Sequence, residues 1–391
     1  MLKRSFRLTL LLATLAAAPA VHGQETLRVG LVTTLTGPGA LLGNELKNGW
    51  DLGLATLNMK IGGLPTEMFV VDDQLKPDAA IAGIERLISR ENVHVVAGIL
   101  WSNIFLATYE AVLKSGRILI GTNANVQPLA GKDCNPLFMS TSWQNDQLYE
   151  ATAKLVYDDG AKSIVLLAPN YQGGKDMMRV LGKALDGRVA DSVLFKLGQV
   201  DFQAELSIVR AKNPAAVVVF APGAMGIAFL KQWHALQLGK SIKLYSVAMV
   251  DNLTLPVVGE AAVGTSHVSS WDPTGSSPAN QRFVRSYFAK HNKLPTEYAA
   301  QAYDAVFLLD SGIRGTGGKL DDKRAIVKAM RRVDFASVHG ALSYNVNNFP
   351  IRDFFKREVV KEADGKFLLR GAGIAAKQLK DAYWAECKLT W

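Results

Sequence analysis

The residues able to do chemistry cluster where apolar runs end. His94-Val95-Val96-Ala97-Gly98 reads as a buried strand, and Ile99-Leu100-Trp101 leads from it to Ser102 and Asn103, where a helix running to Leu113 begins. Such a turn leaves backbone N–H groups unpaired at a helix start with a hydroxyl beside them, which suits a carboxylate. The same spacing serves an ordinary N-cap, and both readings stand at this level. Three more strand ends carry side chains to the same kind of place. Arg117 to Gly121 is followed by Thr122-Asn123-Ala124-Asn125, Ala216 to Phe220 by Ala221-Pro222-Gly223-Ala224, and Lys243 to Val247 by Val250-Asp251-Asn252. The first of these is equally a polar loop, and Asp251 equally a helix N-cap.

Catalytic patterns are missing. Gly37-Pro38-Gly39 follows the first strand but lacks the G-x-G-x-x-G spacing, holds Pro38 inside it, and has no acidic residue at a ribose position. Neither a Walker loop, nor G-x-S-x-G, nor HExxH occurs, so no catalytic residue is expected. One of the six histidines lies in the N-terminal leader; His94, His234, His267, His291 and His339 are scattered and read as solvated or satisfied structural groups. Cys134 and Cys387 sit in no CxxC and have no His at ligand spacing, so neither a metal nor a cofactor is expected.

The chain around these residues opens with Lys3, Arg4 and Arg7, an apolar run from Leu8 to Ala18, and the small-residue stretch ending at Gly23. That order is a secretory signal peptide over residues 1–23, implying export to the periplasm. Its removal lowers the formal net charge from +9 by the three charges named. The remainder is mildly basic without any Lys/Arg run that could track a phosphate backbone, so no nucleic-acid partner is expected. In an oxidising compartment two cysteines favour one long-range disulfide, Cys134 to Cys387. With 49% hydrophobic and 20% charged residues in 391, two domains with substantial cores are expected.

Short β-rich runs alternate with helical periods. Strands at Leu27–Thr33, Met68–Asp72, His94–Gly98 and Arg117–Gly121 are separated by helices at Asn44–Asn58, Pro77–Glu91 and Asn103–Leu113, which specifies a parallel sheet covered on both faces. From Ser163 to Val247 the scheme repeats. The helices at Ala279–His291, Glu297–Arg314 and Asp321–Arg331 have too few strands for a third domain and are expected to complete the first two. Phe354–Val360 and Phe367–Leu369 form a hairpin around Asp364-Gly365.

In this order the motifs resemble the periplasmic leucine/isoleucine/valine-binding type of ABC-importer receptor, especially its aromatic-acid branch. The carriers are Val29 to Pro38 with Gly43 and Gly49, Val70-Val71-Asp72-Asp73, Val96 to Asn103, Leu129 to Cys134, Ser142 to Asp146, Pro295, Tyr303-Asp304-Ala305 and Cys387-Lys388-Leu389. The resemblance implies an α/β fold of two Rossmann-like lobes with parallel sheets, joined by three crossovers near Ser142–Asn145, Ser269–Pro273 and Asn348–Arg352, closing like a hinged clamp. Lobe 1 is then 24–143 plus 271–350, lobe 2 is 144–270 plus 351–375, and 376–391 is a C-terminal tail.

The resemblance also implies that the turn at Trp101, Ser102 and Asn103 holds a ligand carboxylate with Asn123, Ala124 and Asn125 beside it. It implies too that Tyr171 covers the ligand. Ala224 and Asp251 at strand ends, Asn145 and Trp271 at crossovers, and Tyr298 opening its helix complete the expected lining. Leu42 stands where the amino-acid receptors have a tyrosine, and Trp101 where they have a cysteine, although Trp101 is equally a core residue. A flat wall with leucines suits an aromatic carboxylate, with a branched-chain amino acid or amide as the alternative. The implied partners are that small molecule and the permease subunits of an importer, with the receptor a monomer. A ligand sensor serving a signalling partner is the remaining alternative.

Overall fold

The computed structural model describes residues 25–391, so the expected leader lies outside the described residues. The first half is built from β1 (Leu27–Thr33), α1 (Ala40–Thr56), β2 (Lys60–Ile61), β3 (Leu64–Asp72), α2 (Pro77–Ser89), β4 (Val95–Gly98), α3 (Ser102–Lys114), β5 (Ile118–Gly121), α4 (Gln127–Ala130) and β6 (Phe138–Ser140). Its sheet runs β2-β3-β1-β4-β5-β6, all parallel except the β2–β3 pair. β4 and β5 are buried along their whole length, which is why they read as unbroken apolar runs.

The second half contains α5 (Asn145–Asp158), β7 (Ile164–Pro169), α6 (Gln172–Ala184), β8 (Val189–Phe195), α7 (Gln203–Lys212), β9 (Ala216–Phe220), α8 (Ala224–Ala235), β10 (Lys243–Val247), α9 (Leu255–Val258) and β11 (Ser266–Ser269). These strands run β11-β10-β9-β7-β8 in parallel. The chain then makes α10 (Pro278–His291), α11 (Glu297–Arg314), α12 (Lys323–Met330), β12 (Ser343–Tyr344), β13 (Pro350–Lys361) and β14 (Phe367–Leu379). β13 adds to β11 antiparallel and carries β14 and β12 at its own edges. The fold is two-lobed α/β, with mostly parallel sheets.

The late helices return to the first lobe. α11 packs along α1, and the contact is tight because a Cβ on Gly49 would lie 2.1 Å from the Ala299 carbonyl oxygen. Gly43 likewise lets α1 press onto the end of β1, where a Cβ would meet the Thr34 carbonyl oxygen at 1.7 Å. Side-chain caps start these helices: Thr296 Oγ1 accepts from the Ala299 N–H, and the Ser277 hydroxyl accepts from that of Asn280.

Passage between the sheets occurs at 141–144 and 270–277, and the β12–β13 turn at 345–349 lies against the end of β6, where the Asn348 carbonyl accepts from the Ser140 N–H at 3.2 Å. Arg352, buried at the start of β13, ties these segments. Its Nη1 donates to Ser270 Oγ at 3.2 Å and its Nη2 to the Thr141 carbonyl at 3.0 Å. Asn348 Nδ2 donates to the Phe138 carbonyl at 2.8 Å.

The structure departs from the sequence reading in several elements. α5 directly follows the first crossover, opened by a capping box between Gln144 and Gln147. β2 and β6 were not anticipated, and α1 starts four residues before Asn44. β14 continues to Leu379, into the segment expected to be tail. The tail itself is tied down: Cys387 is bonded to Cys134, and the Trp391 indole N–H donates to the Val346 carbonyl at 2.9 Å. Among the described residues no helix is long and apolar enough to cross a membrane.

Candidate functional site

A cavity lies where the C-terminal ends of β4 and β5 face those of β7, β9, β10 and β11. Its walls include Leu42, Trp101, Ser102, Asn123, Ala124, Asn145, Tyr171, Asp251 and Tyr298 of the residues expected there. The space open to water centres is about 60 Å³.

The first lobe supplies an anion-binding end. Gly98 (φ 103°) and Ile99 (φ 64°) turn the chain sharply after β4; a Cβ on Gly98 would lie 2.3 Å from the Val32 carbonyl oxygen, so only glycine fits. α3 then begins with Trp101 as an extended N-cap whose side chain accepts nothing from the helix. The first N–H to find a helical acceptor is that of Phe105, bonded to the Trp101 carbonyl at 2.9 Å. The preceding N–H groups and the positive end of the helix dipole are therefore available to an anion, with the Ser102 hydroxyl beside them. Asn123 is anchored through Nδ2 to the Leu100 carbonyl at 2.8 Å, while its buried Oδ1 has no partner among the described residues. Among the described residues no Lys or Arg lines the cavity, so a bound anion would rely on neutral donors.

Aromatic rings form the walls. The Trp101 indole N–H donates to Thr34 Oγ1 at 2.9 Å, and that hydroxyl donates to Asp73 Oδ1 at 2.5 Å. With its polar end held behind the wall, the ring is free to meet Tyr171 edge-on at 5.8 Å. Tyr171 in turn packs on Phe220 at 6.0 Å, and Tyr149 on Phe220 at 5.9 Å. The Tyr149 hydroxyl donates to the Gly173 carbonyl at 2.9 Å. Burial pushes the Tyr149, Tyr171 and Tyr298 phenols well above their ordinary range, so all three stay neutral.

Carboxylates and a histidine complete the site. Asp251 Oδ1 accepts from the N–H groups of Leu253 and Thr254 and from Thr254 Oγ1 at 2.8–3.0 Å, and among the described residues Oδ2 has no partner. Desolvation lifts its pKa to about 6 against the lowering pull of those bonds. Glu297 is also raised by desolvation, although Ser270 and Ser269 donate to it. His267 is held neutral, its pKa pushed down to about 4 by burial and then by Arg357, and its Nδ1 is buried without a partner.

Four expected residues do not reach the cavity wall. Asn125 is consumed by the first crossover, its Nδ2 donating to Ser140 Oγ (2.8 Å), Ser142 Oγ (2.5 Å) and the Trp143 carbonyl (3.0 Å). Trp271 donates its indole N–H to Asn280 Oδ1 at 2.9 Å and packs with Phe283 and Tyr287 in a separate apolar cluster beneath α10. Asn103, the second residue of α3, and Ala224, the first of α8, are not among the residues lining the cavity. Phe220 and Pro222 reach the wall as their strand-end position implied; Trp143, Leu148, Tyr149, Ala248, His267, Val268 and Glu297 line the cavity without having been expected there. The placement of His267 corrects its reading as an ordinary structural group. Strand-end position alone would have found Ala248 and Val268.

Comparison with known proteins agrees with this geometry. The chain matches the periplasmic binding protein family over residues 26–366 and belongs to it. It is a solute-binding protein of the ABC-transporter type, with the type I periplasmic binding fold. An R. palustris ABC-transporter solute-binding protein solved with benzoate is similar at 28% identity and a TM-score of 0.87, covering 93% of this chain and 100% of that one. Another from R. palustris, solved with 4-hydroxybenzoate, shows 25% identity and a TM-score of 0.83, covering 91% and 98%. The Leu/Ile/Val-binding protein homolog 6 of Brucella melitensis is 26% identical over 368 residues, 91% of this chain and 93% of that one.

Proposed function

We propose that this protein captures a small aromatic carboxylate, benzoate-like or phenylpropenoid-like, between its lobes and delivers it to the permease of an ABC importer. The observation that carries the reading is the uncapped start of α3 with Ser102, opening into a cavity walled by Trp101, Tyr171 and Phe220. Donors for an anion and flat apolar faces for a ring meet in one enclosed space. The benzoate and hydroxybenzoate complexes of the similar structures support the same ligand class.

On this reading the chain acts as a periplasmic monomer exported by its leader and performs no catalysis. Lobe 1 is 24–143 plus 271–350 and lobe 2 is 144–270 plus 351–375, the hairpin extending to Leu379. The free Asp251 Oδ2 supports a second reading, a branched-chain amino acid or amide whose N–H groups would meet that oxygen.

A thermal-shift screen against benzoates, phenylpropenoids and branched-chain amino acids separates the two, because a ligand specific for the folded state raises the melting temperature. Stabilisation by aromatic acids is expected. Stabilisation by amino acids alone would overturn the first reading in favour of the second.

A further inference from the structure

Asn145 stands at the junction of the two lobes with its amide fully engaged. Its Nδ2 donates to Ser102 Oγ at 3.0 Å in the first lobe and to Asp176 Oδ2 at 3.1 Å in the second. Its Oδ1 accepts from the Asn125 N–H at 3.1 Å. An amide nitrogen has two donors, and both are used. Asn145 therefore lines the cavity, as expected, without a free donor for a ligand.

The consequence falls on Ser102. One lone pair of its oxygen is filled by Asn145, and among the described residues its own proton has no protein acceptor. The three side chains are nearly sealed from solvent, with Ser102 at 3% and Asn145 and Asp176 each at 5% exposure. Asp176 is fixed from behind, since Gln172 Nε2 donates to its Oδ1 at 2.9 Å.

We infer that Asn145 is a positioning residue that aims the Ser102 hydroxyl proton at the ligand carboxylate and ties that hydroxyl, through Asp176, to the second lobe. The inference rests on the carboxylate reading above. α5 and α6 pack within the second lobe, so the bond from Asn145 to Asp176 belongs to that lobe and the bond from Asn145 to Ser102 spans the cleft. An anion accepting from Ser102 polarises the O–H group and makes its oxygen a better acceptor for Asn145. Ligand charge at α3 and lobe closure thus act on opposite sides of one oxygen atom, and a neutral head group would gain less from closure.

A double-mutant cycle tests this by calorimetry with benzoate and with benzamide as the neutral probe. Asn145→Ala should weaken benzoate binding roughly tenfold when Ser102 is present and less than about twofold in the Ser102→Ala background, with little effect on benzamide in either. Equal losses in both backgrounds, or equal losses for both probes, would mean a merely structural role and overturn the inference. Should Asn145→Ala fail to fold, Asp176→Asn runs the same cycle. Its expected result is a loss of about threefold confined to the Ser102 background, and an equal loss in both again overturns the inference. If the unaltered protein binds no aromatic acid, the carboxylate reading falls and takes the inference with it. Intact binding with an additive cycle removes the inference alone.

Discussion

Replacing Asp251 by Asn should stabilise the unliganded protein at neutral pH, although it removes a charge from the centre of the site. The carboxyl is lifted from 3.8 to about 6, chiefly because burial takes water from its ionised form. The folded protein therefore holds this proton more tightly than the unfolded chain does. Ionisation costs nothing below about pH 4, and the cost grows as pH rises through 6 and persists above it. At about 1.4 kcal/mol per tenfold change in proton affinity the ceiling is about 3 kcal/mol. Asp251 borders a cavity that water can enter, so about 1–2 kcal/mol is expected. Asn keeps an Oδ1 for the three donors from Leu253 and Thr254 and places Nδ2 where the unpaired oxygen stood. Urea unfolding of both proteins from pH 4 to 7.5 measures the difference, which should be near zero at pH 4 and favour Asp251→Asn at pH 7.5. Parallel pH profiles, or a variant less stable at pH 7.5, would refute the reasoning.

Three further outcomes test the framework around the site. Thiol titration of the unfolded, unreduced protein should find no free thiol, and Cys387→Ser should cost up to about 5 kcal/mol, because the bridge closes a loop between residues 253 apart. Arg352→Ala should cost about 3 kcal/mol in urea unfolding, since it strips the Thr141 carbonyl and Ser270 of a buried charged donor. Gly49→Ala should cost about 1–3 kcal/mol or more by prising α1 from α11, where the added methyl would lie 2.1 Å from a backbone oxygen that cannot move alone.

The parts of this protein legible in its sequence are those whose environment is uniform. β4, β5, β7 and β9 are buried along their length, so composition alone marks them, and the side chains just beyond their ends had to approach the cleft. Trp101, Ser102 and Asn123 lie just beyond β4 and β5 and Asp251 beyond β10, whereas Tyr171 was placed by the family resemblance. α5 escaped because its opening residues, Asn145, Asp146 and Gln147, look like a loop while being buried and bonded; its apolar face at Leu148, Leu155 and Val156 is too narrow to announce a helix.

Three polar or aromatic residues show why the remainder was harder to read. Asn145 and Trp271 sit at crossovers and Asn125 bonds to one, where such a side chain can serve either a ligand or the passage of the chain, and only the partner decides which. Asn125 found Ser140 and Ser142, Trp271 found Asn280, and Asn145 found Ser102 and Asp176. In a clamp that must both hold a ligand and bend, the groups that fix the crossovers lie within bonding distance of those that hold the guest. Asn145 belongs to both sets, since the hydrogen bonds that join it to the second lobe and to Ser102 are made by the two N–H groups of a single nitrogen.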